Sequence, residues 1–174
     1  METLRILWLN HRDPKHTDET MDKECIPQYL MYNNKNPLIT AVHRLRLKKT
    51  IDMIHNHGMS LDAGCGDGFL LEHMYGTKIG MDLNVRRLKR AKKRSPKSML
   101  ICCDITKLPF KNNIFSTVVS IDVLEHVKHL KKAIEELKRV TDLHGEIIIA
   151  APEEKNWEIA RKAMMQKPLE GHIN

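Results

Sequence analysis

The feature that most constrains the fold is an alternation of short apolar runs with amphipathic stretches between residues 59 and 152. The apolar runs are rich in valine and isoleucine, which predicts strands, and the stretches between them carry apolar residues at helical spacing. This alternation is typical of a parallel sheet whose two faces are both covered by helices. We therefore expect an α/β fold: a Rossmann-like, doubly wound, mainly parallel sheet of about five strands flanked by helices.

The individual elements follow from the same patterns. The predicted strands are MSLDA, KIGMDL, SMLICCDI, IFSTVVSIDV and EIIIAAP, the last entered through a turn at Gly145. The predicted helices are LITAVHRLRLKKTIDMIHNH, FLLEHMYG, the basic segment 86–97 and VLEHVKHLKKAIEELKRVT. Helical spacing predicts that the first of these helices buries Val42, Leu45, Leu47, Ile51 and Ile54.

The chain divides into two parts. Residues 1–37 form an N-terminal extension that is interrupted by three prolines, and residues 38–174 form one α/β domain. No apolar run approaches the about 20 residues of a membrane helix. The start lacks a cleavage site and the four cysteines form no CxxC pair. Free thiols in a reducing compartment, and hence a cytoplasmic location, are expected.

Basic residues are concentrated in one segment. The formal net charge is +7, yet residues 86–97 contain eight basic residues and no acid. Such a segment attracts the phosphates of RNA, DNA or anionic lipids. However, it contains no aromatic residue for base stacking, and Leu88 and Ala91 have the spacing of a buried side. A solvated helix face is therefore favoured over a nucleic-acid surface.

The stretch LDAGCGDG, residues 61–68, joins the first of these strands to a helix. Its glycines are Gly64, Gly66 and Gly68, which differs from the G-x-G-x-x-G spacing of dinucleotide-binding loops. Asp62 precedes them, and its carboxylate would repel a pyrophosphate. The loop therefore indicates a ligand with a positive group at this end, such as an ammonium or a sulfonium.

Two further acids follow the next two strands. Asp82 lies 20 residues beyond Asp62, at the end of the second strand, and Asp104 ends the third. Because the carboxyl ends of parallel strands meet at one edge, we expect the three acids to face one crevice, where such sheets bind ligands. An acid after the second strand is suited to ribose hydroxyls, and Asp104 to an adenine amino group.

Four motifs in this order, LDAGCGDG, IGMDLN, CCDITKLPF and FSTVVSIDVLEHV, resemble those of class I S-adenosylmethionine-dependent methyltransferases. They are most similar to the small-molecule type that includes ubiquinone-pathway O-methyltransferases. The resemblance covers roughly residues 38–155. It implies S-adenosylmethionine as cofactor and methyl transfer to a small-molecule acceptor. It assigns cofactor binding to Asp62, Gly64, Gly66, Gly68, Asp82, Leu83, Asp104 and Ile105.

Within that set the resemblance implies distinct roles. Gly64 and Gly66 approach the methionine part of the cofactor, and Asp62 orients the loop or meets the ammonium group through water. Asp82 binds the ribose hydroxyls. Asp104, with the backbone of Ile105, holds the adenine.

A hydroxyl acceptor also needs a base that removes its proton. His126 is the candidate catalytic residue, because it follows the fourth strand near the expected acceptor. The alternative is that it caps or packs the following helix.

A metal site is a second interpretation of the same segment. Asp122, Glu125 and His126 have i, i+3 and i+4 spacing, which would place them on one helical face. His129 or His172 would supply a fourth ligand. We favour a site without a metal, because many related sequences carry the same motif and bind no metal.

The C-terminal end is shorter than the resemblance leads one to expect, since the family continues with a helix and an antiparallel hairpin. The last predicted strand would then be an open edge, which proteins usually avoid. Truncation, an added strand from LRILWL, or a second copy in a homodimer would each account for it.

The acceptor is expected to be a small molecule or a glycan-linked hydroxyl, the latter because METLRILWLNHRD resembles the first strand of nucleotide-sugar glycosyltransferases. Two alternatives stay open: an RNA methyltransferase that uses the basic segment 86–97, and a non-catalytic S-adenosylmethionine-binding module.

Overall fold

The computed structural model describes residues 3–8, 37–56 and 58–151, with only the backbone described for residues 3–8, Ile39 and Ala151. The strands are β1 (Thr3–Trp8), β2 (Met59–Ala63), β3 (Thr77–Asp82), β4 (Met99–Cys102), β5 (Phe115–Ile121) and β6 (Thr141–Ala151). The helices are α1 (Pro37–Met53), α2 (Phe69–His73), α3 (Val85–Arg94) and α4 (Leu130–Val140), with a short 3-10 helix at Leu124–His126.

The strands are all parallel and form one sheet in the order β1-β6-β5-β2-β3-β4. The chain first adds β3 and β4 on one side of β2 and then returns to place β5 on its other side. Sheets of this kind bind ligands at the carboxyl ends of the strands where the order reverses, which here means between β2 and β5. The predicted Rossmann-like parallel sheet is confirmed.

A sixth strand completes the sheet beside β6. The backbone of β1 pairs with β6 from Thr3 opposite Glu146 to Trp8 opposite Ala151. Of the three explanations for the open edge at the last predicted strand, the added strand is therefore confirmed, because β1 contains most of the segment LRILWL and lies beside β6. Because β1 covers that edge, the edge no longer gives a reason to expect a homodimer, which stays a prediction.

The sheet is covered on both faces, as its sequence indicated. Ile147 and Ile149 point to the face covered by α4, whereas Ile148 points to the face covered by α1, α2 and α3. All three isoleucines are at most 2% exposed. A central parallel strand is buried on both sides, which is why this strand is a continuous apolar run instead of an alternating one.

The first helix buries most of the predicted side, since Ile51 and Ile54 pack against the core around Leu47, but one residue differs. Leu47 is buried, but Leu45 is 47% exposed, whereas Arg46 and Thr50 are buried. The Thr50 hydroxyl donates a hydrogen bond to the Arg46 carbonyl oxygen, 3.0 Å away. The predicted set contained apolar residues alone, and arginine is buried only where its charge is paired.

Three predicted boundaries differ from the structure. The helix after the glycine loop ends at His73 instead of Gly76. The long helix predicted from Val123 is divided into the 3-10 helix and α4, which begins only at Leu130. The last strand begins before Gly145, because Thr141 already pairs with Phe115 across an irregular stretch of the ladder.

Several expectations fall outside the described residues: the structure of 9–36 within the N-terminal extension, and the helix expected after the last strand. Among the described residues, Cys65, Cys102 and Cys103 are free thiols. None of the helices in the described part of the chain combines the length and the apolar character needed to span a bilayer.

Candidate functional site

The glycine loop lies between β2 and α2 and is held to the neighbouring strand by its backbone. The N–H groups of Gly64 and Cys65 both donate to the Met81 carbonyl oxygen of β3, each at 2.8 Å. The loop is therefore anchored at the carboxyl end of β3, beside the point where the strand order reverses.

Two of the glycines are required by close approach. Gly64 has φ +90°, and a Cβ atom there would overlap the side chain of Val123, which follows β5. Gly68 has φ +81°, and a Cβ atom there would lie 2.9 Å from the Ala91 Cα of α3. Both conformations are in the left-handed region, where L side chains are strained. The loop thus packs directly against the segment after β5 on one side and against α3 on the other.

Asp82 connects the loop to the start of α3. Its Oδ2 accepts a hydrogen bond from the Gly66 N–H at 3.0 Å, and its Oδ1 accepts one from the Asn84 N–H at 2.7 Å. Asn84 in turn caps α3, because its Oδ1 accepts from the N–H groups of Arg86 and Arg87. A capping asparagine before a helix is a recognisable sequence signal, although it was missed here.

Asp62 is buried beside this arrangement. Its residue is 3% exposed, and its Oδ2 has no hydrogen-bond partner among the described residues. Burial, and secondarily the charge of Asp82, raises the pKa of Asp62 to about 8. A buried carboxylate with an unused oxygen is stabilised by a cationic ligand group, which is the chemistry expected from its place before the glycines.

The remaining predicted cofactor residues flank the same edge. Leu83 follows β3 and is 68% exposed, whereas Ile105 is buried. Asp104 is exposed after β4, and its Oδ1 accepts a hydrogen bond from the Thr106 N–H at 2.7 Å. Hydrogen bonds from Thr106 lower the pKa of Asp104, so its carboxylate is ionised at neutral pH. The three acids thus lie at the carboxyl ends of three neighbouring strands. Asp62 is the second-last residue of β2, Asp82 is the last residue of β3, and Asp104 comes two residues after β4.

An ion pair at this edge was missed by the sequence interpretation. Asp122, directly after β5, forms a salt bridge with Arg46 of α1. Asp122 has φ +53°, and its N–H donates to the Ala150 carbonyl oxygen at 2.8 Å. The salt bridge and this hydrogen bond hold the backbone in an unusual conformation immediately before Val123, the residue that contacts Gly64.

His126 ends the 3-10 helix after β5 and is exposed. Its Nε2 lies 4.0 Å from Oε1 of Glu125, whose side chain is 11% exposed. The imidazole is therefore at the carboxyl edge of the sheet, with a carboxylate beside it. A neighbouring carboxylate helps to orient an imidazole ring.

The alternative metal site is not supported. Asp122 lies outside the 3-10 helix, and its carboxylate is engaged with Arg46, so the three residues do not share one helical face as predicted. Within the ranges that the structure describes, no group of three or more histidine, cysteine or acidic side chains has the arrangement to hold a metal ion. His129 precedes α4, and His172 lies outside those ranges.

The sheet order, the glycine loop and the acid that ends β3 are those of a Rossmann-like domain that binds a nucleotide-containing ligand. Residues 61–149 match the model of a family described as "Methyltransferase domain". The chain belongs to this family, the class I S-adenosylmethionine-dependent methyltransferases, whose cofactor is S-adenosylmethionine. The resemblance found in the four motifs is thereby confirmed.

Two curated relatives are similar to most of the chain. Uncharacterized protein MJ0638 of Methanocaldococcus jannaschii is 35% identical over 79% of this chain and 60% of its own length. A malonyl-[acyl-carrier protein] O-methyltransferase of Hamiltonella defensa is 29% identical over 66% of this chain and 45% of its own. The chain thus spans about half of these relatives' lengths.

Solved structures share the fold at lower identity. A TehB-like S-adenosylmethionine-dependent methyltransferase of Corynebacterium glutamicum superimposes with a TM-score of 0.58 at 20% identity, over 74% of this chain and 83% of that one. The likeness concerns the fold alone.

Proposed function

We propose that this chain transfers the methyl group of S-adenosylmethionine to a hydroxyl oxygen of a small-molecule or glycan-linked acceptor. The observation that carries this is the position of Asp82, whose carboxylate orders both the glycine loop and the start of α3 at the ligand-binding edge. An acid at the end of this strand is the group that binds ribose hydroxyls in doubly wound folds.

The residues at this edge fit the cofactor. Asp62 has an unused, buried oxygen for an ammonium group, and Gly64 leaves the space that a Cβ would fill. Asp82 would bind the ribose hydroxyls, and Asp104 with the Ile105 backbone would hold the adenine. Leu83 offers an exposed apolar side chain beside the ribose position. Gly66 and Gly68 complete the loop that approaches the methionine part.

When bound, S-adenosylmethionine supplies a methyl group on a positively charged sulfur for in-line transfer to a nucleophile. The chain then has two tasks: to align the acceptor oxygen, and to remove its proton. Alignment is worth about 7–11 kcal/mol in well-oriented reactions, so a rigid site accounts for much of the barrier reduction.

His126 is the group that we assign to proton removal. Its exposed imidazole lies after β5, the strand next to β2, and Glu125 is positioned to stabilise the imidazolium that forms. A base of this type contributes about 10²–10⁴-fold to a rate. That one curated relative is named an O-methyltransferase supports oxygen as the acceptor atom.

Transfer of radiolabelled methyl groups to a panel of hydroxyl acceptors tests the proposal. With an accepted substrate, His126→Gln should lower kcat at least about 100-fold while the Kd for the cofactor is unchanged. His144→Gln is the control, because His144 is an exposed histidine in the irregular first part of β6. Equal kcat in the His126→Gln and unchanged proteins would contradict the role of His126.

Binding of the cofactor without transfer to any acceptor would contradict methyl transfer and favour a non-catalytic binding module. We also propose a cytoplasmic location, which is supported by the three free thiols, since such thiols persist in reducing compartments.

A further inference from the structure

Seven of the eight cations of α3 and its C-terminal flank fall into two groups. In the first group, Arg90 pairs with Asp67 at 2.8 Å, and Arg94 pairs with Glu72 at 3.3 Å. Lys92 donates to the carbonyl oxygens that follow the helix. These cations hold α3 to the neighbouring segments of the domain, so their side chains are already engaged in contacts within the domain.

The second group has no such partner. Arg86, Lys89, Lys93 and Lys97 are exposed, and no residue in the described part of the chain forms an ion pair or hydrogen bond with their side chains. Arg86, Lys89 and Lys93 are three and four residues apart, so they lie on one face of the helix. We call these four residues the cationic stripe.

The cationic stripe begins at the ligand-binding edge. Arg86 lies in the first turn of α3, two residues after Asn84, whose N–H binds Asp82. Because α3 leads from the carboxyl end of β3 to the amino end of β4, the stripe runs from the site toward the opposite edge of the sheet. Three uncompensated charges along the helix and a fourth, Lys97, after its end produce a local positive potential.

We propose that the cationic stripe is a docking surface for the phosphate backbone of a nucleic acid. This inference goes beyond the proposed methyl transfer, because the stripe lies outside the cofactor residues and its binding is measured without turnover. The partner is recognised by its regularly spaced negative charges, which lysine and arginine neutralise while counterions are released.

The structure favours a nucleic acid over two other polyanionic partners. Helices that bind membrane surfaces insert an apolar face, but Leu88 and Ala91, the apolar residues of the buried side of α3, are 8% and 0% exposed. Protein interfaces are depleted in lysine, whereas interfaces with nucleic acids are strongly positive. Three of the four residues in the cationic stripe are lysines.

The test is fluorescence anisotropy of the full chain with labelled 20-nucleotide U20 RNA and dT20 DNA between 50 and 200 mM KCl. We expect binding that weakens with salt. The triple variant Arg86→Gln, Lys89→Gln, Lys93→Gln should bind about tenfold or more weakly. Its slope of log K against log salt should be about 2 smaller in magnitude, since each lost contact to a single strand contributes about 0.7.

A triple variant of the same residue types serves as the control. Arg44→Gln, Lys48→Gln, Lys49→Gln removes the same charge from exposed positions of α1, which is a different helix. This control should bind like the unchanged protein. Equal weakening in both variants, or no binding at 50 mM KCl, would overturn the proposal.

Two further measurements separate this inference from other outcomes. Capture by vesicles containing phosphatidylserine, in the absence of oligonucleotide binding, would overturn it in favour of a membrane surface. Calorimetric titration with S-adenosylmethionine should give the same Kd for the stripe variant and the unchanged protein. If neither the stripe variant nor the unchanged protein binds the cofactor, the result counts against the proposed function. The oligonucleotide measurement then still decides, on its own, whether the cationic stripe binds a nucleic acid.

Discussion

Arg46 of α1 and Asp122 at the end of β5 form an ion pair although 76 residues separate them in the sequence. The Arg46 side chain is 5% exposed and that of Asp122 is 29% exposed. Because Val123 follows Asp122 and contacts Gly64, the pair connects the first helix to the glycine loop through a single residue. The arginine thereby fixes the position of the segment that carries His126.

Removing one partner of this pair should be costly. Arg46→Met leaves the Asp122 carboxylate without its counterion, and we expect a loss of about 3 kcal/mol in the free energy of unfolding. This is the low end for buried pairs, because Asp122 is partly exposed. Urea unfolding measures it. The double variant Arg46→Met, Asp122→Asn should recover part of the loss, and Arg44→Met should stay within about 0.5 kcal/mol. Strictly additive single and double variants would argue against a coupling between the two residues.

The glycine at position 64 should not tolerate a side chain. In Gly64→Ala the new methyl group overlaps Val123, and the backbone has φ +90°. We expect the free energy of unfolding to fall by about 1–3 kcal/mol or more, together with weaker cofactor binding. Gly58→Ala is the control, because its φ lies outside the left-handed region and the tightest contact of its new Cβ, at 2.7 Å, would be with the Ser116 hydroxyl oxygen, which can rotate away. Comparable melting temperatures for the two variants would contradict the close approach.

Asp62 should make stability depend on pH. Its pKa is raised from 3.8 to about 8 in the folded protein, so the folded state retains a proton that the unfolded state releases above pH 4. Stability is therefore full below about pH 4 and decreases until about pH 8. In Asp62→Asn this decrease should be absent, so the variant gains stability relative to the unchanged protein as pH rises. Thermal unfolding between pH 5 and 9 measures the difference. The exposed Asp52→Asn is the control; a constant gap for Asp62→Asn across that range would refute the account.

The same carboxyl group should release a proton when the cofactor binds. At pH 7 the Asp62 side chain is largely protonated, and an ammonium group beside it favours the ionised form. Calorimetric titrations with S-adenosylmethionine in buffers of different ionisation enthalpy should therefore show proton release, which Asp62→Asn abolishes. An observed binding enthalpy that is identical in all buffers would mean that Asp62 does not meet a cationic group.

The sheet and the glycine loop could be predicted because their signals are local. Runs such as EIIIAAP carry the pattern of buried parallel strands, and the loop residues Gly64 to Gly68 lie within one short stretch. The acid Asp82 was found from its spacing along the chain. Its hydrogen bonds to the Gly66 and Asn84 N–H groups agree with the expectation that it organises this edge.

Features that depend on distant contacts were predictable only in part. The pairing of β1 with β6 joins residues more than 140 positions apart, and the sequence offered the added strand only as one of three explanations for the open edge. Arg46 has the charge of a typical surface residue, so its burial cannot be expected until its partner is known. The segment after β5 was misjudged because apolar spacing alone does not distinguish a 3-10 helix followed by a break from a continuous α-helix. In each case the tertiary contact, not the local preference, decides the structure.

The central claim is that Asp82 organises a site for S-adenosylmethionine. Isothermal titration of the unchanged protein, Asp82→Ala and Asp142→Ala tests it most directly. Asp142 is a matched aspartate in the irregular first part of β6 that accepts a hydrogen bond from the His144 N–H at 2.9 Å. We predict micromolar binding to the unchanged protein and to Asp142→Ala, and a loss of about tenfold or more in Asp82→Ala, because hydrogen bonds to a charged group are each worth about 1.5–3 kcal/mol. Unweakened binding to a folded Asp82→Ala, or no heat from the folded unchanged protein, would contradict the claim.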